Sequence, residues 1–243
     1  MPETNRPTVL SVRSLGVTLG NRVVIHDLNF DAVRGETLAI IGPNGAGKTV
    51  LLRSLLNQIP HQGEIDWAPE TKIGYVPQTI AADQQLPLLV SDVLGAKARL
   101  LKLAPDEVRR KAAIVGLPPE LLSTRIGVLS GGQFQKAMIT FALLGDPNVL
   151  LVDEPTASLD ELAQEHIYEL LERLRQERHL TVLLVSHDLS VVFQFATRVL
   201  CLSSESPCFG PPREVLTPDT LSAVYSGVPK FYAHIHHHGA VNE

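Results

Sequence analysis

Long apolar runs are missing from this chain of 243 residues. No stretch approaches the ~20 residues that a membrane-spanning helix needs. The first residues, MPETNRPTV, carry no apolar export segment. Cysteine is scarce: Cys201 and Cys208 are the only two. They are too few for a disulfide framework, and reduced thiols in a cytosolic protein are the simple expectation. A basic surplus is absent as well, with 21 Lys and Arg against 26 Asp and Glu and a formal net charge of −5. A general nucleic-acid binder would show a basic face, so that class of partner is set aside. The expectation is a chain soluble by itself that can still dock on a membrane protein.

Hydrophobic residues make up 44% of the chain and charged residues 19%, enough apolar side chain for a substantial packed core. The length permits one large domain or two small ones. Short apolar runs at Thr37–Ile41, Val149–Val152 and Thr181–Val185 are bounded by glycine or polar turns. Their length and β-branched content suit buried parallel strands. Between the last two lies LDELAQEHIYELLERLRQERH, where Leu162, Ile167, Leu170, Leu171 and Leu174 recur at helical spacing. Strand, helix, strand in that order implies a parallel α/β sheet. Near the start, Val9, Val12, Val17, Val23, Val24 and Ile25 alternate as antiparallel strands do. From about Thr79 to Gly145 helical patterns dominate, at Ser91–Leu103, Pro105–Val115 and Gly131–Leu144. That stretch reads as a helical lobe inserted into the α/β core.

GPNGAGKT, from Gly42 through Pro43, Asn44, Gly45, Ala46, Gly47 and Lys48 to Thr49, matches G-x-x-x-x-G-K-[ST] in full. The run LAII before it is a strand, and VLLRSLL, starting at Val50, opens a helix. The motif requires that context. The glycines let the backbone curl so that successive N–H groups point at phosphate oxygens. Lys48 would reach the β- and γ-phosphates, and the Thr49 hydroxyl would ligate Mg²⁺. VLLVDEP, Val149 to Pro155, is a buried strand ending in two acids. Asp153 at the strand tip would hold the hydration shell of the Mg²⁺. Glu154 beside it would orient or deprotonate the water that attacks the γ-phosphate. A lone Asp-Glu pair is usually a solvated loop feature; four apolar residues in front make the functional reading the stronger one.

A second glycine turn, LSGGQ at Leu129–Gln133, feeds another helix. A helix N-terminus with free N–H groups attracts an anion, while the bland reading is a simple cap. Taken with GPNGAGKT and VLLVDEP, and with YVPQ, ASLD (Ala157–Asp160) and VSHD (Val185–Asp188), this turn makes the chain resemble the nucleotide-binding subunits of ABC transporters. The resemblance runs from roughly Val9 to Gly210, with the motifs in the family's order.

The resemblance implies a P-loop NTPase core of ABC type with an antiparallel β subdomain and an inserted helical subdomain. The core would be 1–78 and 146–243, the helical signature subdomain 79–145. It implies ATP and Mg²⁺ as ligands and a homodimer in which each ATP is sandwiched between one P-loop and the other copy's LSGGQ. Ser130, Gly131, Gly132 and Gln133 would then touch ATP held by the partner, and Asp160 would line the seam. His187 would sense the γ-phosphate and hold the water with Glu154. Gln78 would touch the metal or the water and report nucleotide state to the lobe. Integral membrane permease subunits would be partners, which places the chain at the cytoplasmic face of the membrane. An extracytoplasmic metal-binding protein would take part indirectly.

Two departures from the family pattern stand out. The adenine-stacking aromatic position falls on Leu19, and FQKAMITFALL puts Phe134 and Thr140 after the signature. In the family the segment LPLLVSDVLG (Leu86–Gly95) forms the groove for a membrane partner, and some of its leucines are expected to be lobe core instead. The C-terminal stretch 230–243 holds His234, His236, His237 and His238, and clustered imidazoles suit Zn²⁺, Mn²⁺ or Ni²⁺. That tail and the preceding RVLCLSSESPCFGPPREVLTPDTLSAVYSG, with LSGGQFQ, resemble the ATPases of zinc and manganese importers. The favoured expectation is therefore an importer of a divalent transition metal. An importer of an iron chelate or other solute, and a soluble factor such as one for iron–sulfur assembly, stay open.

Overall fold

The computed structural model describes residues 6–78, 87–157, 159–203 and 208–225. Two long strands open the chain, β1 (Thr8–Leu19) and β2 (Arg22–Val33), joined at Gly20–Asn21. Leu10, Val12, Leu15 and Val17 of β1 and Ile25, Phe30 and Ala32 of β2 are buried. Strict alternation breaks where β-bulges shift the register between Val12 and Leu15. Later β4 (Gln62–Trp67) adds to β1, giving an antiparallel sheet of order β2-β1-β4.

The second sheet has the order β5-β6-β7-β3-β8-β9. Its strands are β3 (Thr37–Ile41), β5 (Ile73–Val76), β6 (Val149–Asp153), β7 (Thr181–Val185), β8 (Arg198–Cys201) and β9 (Cys208–Gly210). The pairs from β5 through β8 are all parallel. Every residue of β3, β6 and β7 is buried, as strands covered on both faces must be. The three runs expected from the sequence are these strands. The helices are α1 (Lys48–Leu55), α2 (Val90–Leu100), α3 (Glu107–Val115), α4 (Gly131–Leu143), α5 (Glu161–Arg178), α6 (Leu189–Phe195), α7 (Pro212–Val215) and α8 (Pro218–Val224).

One apolar cluster packs α1 between the two sheets, with Leu51, Leu52, Leu151, Leu183 and Leu200 in it. Another joins α2, α3, α4 and α5 to the opposite face of the parallel sheet through Leu94, Met138, Ile139, Leu143 and Leu171. Between 87 and 145 the described chain holds α2, α3, α4 and two 3-10 turns, and no strand. The two residues that looked foreign after the signature fit this packing. Phe134 packs against the cluster, and Thr140 is fully buried with its hydroxyl donating to Lys136 O at 2.8 Å.

Two expectations need correction, and a third divides between its two readings. Leu162 does not belong to the buried stripe of α5. It is 62% exposed, whereas Ile167, Leu170, Leu171 and Leu174 are buried. It lies in the first turn, five residues before Ile167 and therefore off the i, i+3, i+4 face. The run Leu86–Gly95 combines lobe core with exposed surface. Val90 and Leu94 are completely buried in the lobe, Leu88 is exposed, and Leu86 lies outside the described residues. The cysteines are not free thiols: Cys201 and Cys208 form a disulfide, with Cα atoms 4.8 Å apart. The cause is strand pairing, since β9 returns antiparallel to β8 and places Cys208 directly opposite Cys201. Sequence spacing could not show that β9 pairs there.

Candidate nucleotide site

The first phosphate turn grows out of β3. Ile41 ends the strand, and Gly42 follows at φ 154 with its α-carbon pressed against the chain just past β8. A Cβ there would sit 2.5 Å from Leu202 O. The turn closes at Gly47, whose φ of 97 is left-handed and whose own Cβ would meet Val24 Cγ1 at 2.8 Å. Only glycine meets both demands. Gly47 also stands at the N-cap of α1, and the first turn of that helix holds no acidic residue to compete for its N–H groups.

Lys48 is 6% exposed and folds back over the turn. Its Nζ donates to Gly42 O at 3.0 Å and to Pro43 O at 3.3 Å. The same Nζ lies 3.5 Å from Glu154 Oε1. A cleft of about 550 Å³ opens over this turn, lined by Leu19, Arg22, Val24, Asn44, Gly45, Gly47, Lys48, Thr49, Val50, Gln78 and Glu154. Nine of these were anticipated from sequence. Arg22 and Val24 were missed. Their signal was the period-two alternation of β2, which aims both toward the turn once Leu19 and Arg22 pair across the hairpin. Pro43 and Ala46 face the other side of the turn, toward β2, β8 and α8.

The carboxylates divide as their positions on β6 dictate. Asp153 ends the strand and is 1% exposed, and neither of its oxygens has a hydrogen-bond partner. Burial pushes its carboxyl above the usual range. The nearby Thr49 hydroxyl and Lys48 ammonium pull the other way, and the Glu154 charge adds to the rise. Glu154 begins the turn after the strand with φ 42, an uncommon conformation for a side-chain-bearing residue that costs about 1–3 kcal/mol. Its Oε2 accepts from Gln78 Nε2 at 2.8 Å and lies 3.9 Å from His187 Nδ1. The His187 side chain is 62% exposed, open to the cleft mouth. Three of the anticipated residues, Lys48, Gln78 and His187, thus meet at the carboxylate of a fourth, Glu154.

The second glycine turn does not line this cleft. Ser130 caps α4: its hydroxyl accepts from Gln133 N at 3.3 Å while Gln133 Oε1 accepts from Ser130 N at 3.0 Å. Gly131 is exposed and Gly132 partly so. Asp160 likewise caps α5, accepting from Ala163 N at 2.8 Å. In a single chain both anticipated partner-facing elements are therefore caps. His234, His236, His237 and His238 lie outside the described residues. Among the described residues no cluster of three or more His, Cys, Asp or Glu could hold a metal ion.

A parallel sheet, a glycine-rich turn into a helix N-terminus and a buried acid on the neighbouring strand tip define a P-loop nucleotide-binding protein. The comparisons narrow this. The ABC transporter family matches residues 25–157. A zinc import ATP-binding protein ZnuC from Chromohalobacter salexigens is 36% identical over 219 residues, covering 90% of both chains. The protein of the same name from Yersinia pestis is 37% identical over 239 residues, covering 96% of this chain and 92% of that one. A solved chain described as a metal-chelate type ABC transporter in an inward-facing conformation superposes with a TM-score of 0.82 at 30% identity, covering 90% of each chain. The chain belongs to the ABC transporter family.

Proposed function

We propose that this chain is the ATP-hydrolysing subunit of an importer of divalent transition metal ions, zinc or manganese, working as a head-to-tail dimer on membrane permease subunits. Support for the hydrolytic part comes from the convergence of Lys48, Gln78 and His187 on Glu154. Support for the cargo comes from the zinc-import relatives, which align along 90% or more of this chain. Among the described residues no helix is long and apolar enough to cross a membrane, so the spanning path belongs to other subunits. The chain sits at the cytoplasmic face, and an extracytoplasmic binding protein delivers the ion.

The phosphates enter over the N–H groups of the 42–49 turn. Lys48 leaves its carbonyl partners and Glu154 for the β- and γ-phosphates. Asp153 and Thr49, with Gln78 at the edge, would hold Mg²⁺. The fit rests on the two buried Asp153 oxygens that lack partners, which suit an oxygen-seeking cation. Bound Mg²⁺ neutralises phosphate charge. Glu154, released from Lys48, orients a water and takes its proton as the water oxygen bonds to the γ-phosphorus and the bond to the β-phosphate oxygen breaks. His187 holds the γ-phosphate side of that water. Ser130, Gly131, Gly132 and Gln133 of a second copy close the other side, and Asp160 lines the seam. ATP binding therefore joins the two copies, and hydrolysis releases them.

The experiment that tests this reading is elemental analysis of cells carrying the wild type or Lys48→Ala, grown first on scarce zinc and then on scarce manganese. A selective fall of one metal in the variant names the cargo. Unchanged metals in both regimes would refute metal import and leave the nucleotide site standing.

A further inference from the structure

Tyr168 sits on α5, 3% exposed, with its ring stacked on Phe195, centroids 5.9 Å apart. A phenol so deeply buried needs a polar partner, and Tyr168 finds it in Thr156. Its hydroxyl lies 2.8 Å from the buried Thr156 Oγ1. The place of that partner in the chain matters. Thr156 comes two residues after Glu154, in the turn that leaves β6. One hydroxyl on α5 therefore anchors the loop that carries the side chain nearest the proposed chemistry.

Two backbone hydrogen bonds also tie Glu154 to β7 and to this turn. Glu154 N donates to Val185 O at 3.2 Å, and Ala157 N reaches back to Glu154 O at 3.4 Å. Glu154 keeps its left-handed backbone only because its surroundings hold it there. A phenylalanine would fill the same volume and stack equally well on Phe195, so packing alone does not call for the hydroxyl.

We infer that Tyr168 is a positioning residue for ATP hydrolysis, its hydroxyl setting the aim of Glu154 through Thr156. The inference rests on the role proposed for Glu154. Tyr168 lines no part of the nucleotide cleft, so its loss acts on the chemical step and spares ATP binding.

The test measures ATPase kinetics and thermal unfolding of the full-length chain for Tyr168→Phe, Thr156→Val, Thr156→Ser, the Tyr168→Phe/Thr156→Val double variant and Glu154→Gln. Tyr168→Phe is expected to lower kcat about tenfold with KM within about twofold of wild type. Thr156→Val should do the same, the double variant should lose no more than either alone, and Thr156→Ser should stay near wild type. A kcat for Tyr168→Phe within about twofold of wild type, with Glu154→Gln inactive, overturns the inference alone. So does a loss that is additive with Thr156→Val and tracks the fall in unfolding temperature, which marks simple packing. Full activity in Glu154→Gln overturns the site reading itself and this inference with it.

Discussion

Gln78 Nε2 donates to Glu154 Oε2 at 2.8 Å, a bond between residues 76 positions apart. It exists because β5 and β6 are parallel neighbours, so the residues just past their C-terminal ends reach one rim of the sheet. The other oxygen of Glu154 faces Lys48 at 3.5 Å. The carboxylate is thus engaged on both sides. On the proposed mechanism, a phosphate that draws Lys48 away would free one oxygen and leave the Gln78 bond as the remaining tie. Gln78 precedes the helical lobe in sequence, so this pair is the proposed link between nucleotide state and the lobe.

Glu154→Gln keeps the size of the side chain and removes its charge and basicity. The expected outcome is a fall in kcat of at least about a hundredfold, the usual scale for losing a general base. ATP binding should persist. Light scattering at saturating ATP should then report a trapped dimer. A monomer with nucleotide occupancy confirmed would count against the sandwich, or show that the membrane subunits are needed to form it.

Leu19 is 44% exposed and stands at the edge of the cleft over the phosphate turn. An apolar side chain there can cover an adenine ring but cannot stack on it. Leu19→Tyr should tighten ATP binding by about 1 kcal/mol, near the low end of base–aromatic stacking, and so lower Kd roughly fivefold. Titration calorimetry with a non-hydrolysable analogue measures this directly. An unchanged Kd would place the base elsewhere, for example toward Arg22 and Val24.

The parts of this site that were legible in the sequence are those where the backbone itself makes the chemistry. Gly42 and Gly47 are forced by backbone geometry, and buried β6 ends at Asp153 because an acid cannot continue an apolar strand. What stayed hidden depends on partners distant in the chain. Arg22 enters the cleft through a hairpin register, Cys201 meets Cys208 through an edge strand of three residues, and Tyr168 reads as one more apolar position of α5. Leu162 shows the opposite error, an apolar residue assigned to a buried face that the helix turns toward solvent. The capping by Ser130 and Asp160 was foreseeable for the first and missed for the second, since an Asp before a helix reads equally well as a seam residue.

Glu36 is 1% exposed and takes a two-pronged contact from Arg198, Nε to Oε2 at 2.7 Å and Nη2 to Oε1 at 2.6 Å. It also accepts from Val33 N at 2.7 Å. The pair joins the turn before β3 to the start of β8, the two strands that frame the phosphate turn. Glu36→Ala strands a cation whose side chain is 24% exposed. Water can reach it in part, so the expected loss is about 2–3 kcal/mol, below the full figure for a deeply buried pair. Urea unfolding should show it as a lower midpoint with an unchanged slope. A change under about 0.5 kcal/mol would mean that the contact is worth no more than a surface pair.

Leu88 is 42% exposed just before α2, while its neighbours Val90 and Leu94 are completely buried. The lobe therefore already has its core, and Leu88 is available to another protein. If it receives a membrane subunit, Leu88→Asp should leave the ATP affinity and fold of the isolated chain unchanged, because an exposed position tolerates charge within about 0.5 kcal/mol. The same variant should lose metal uptake in cells, since an unpaired carboxylate in an apolar contact is costly to desolvate. Uptake at the wild-type rate, with the variant present at normal levels, would move the docking site away from Leu88. Equal loss of uptake and of folding stability would show instead that Leu88 serves the lobe itself.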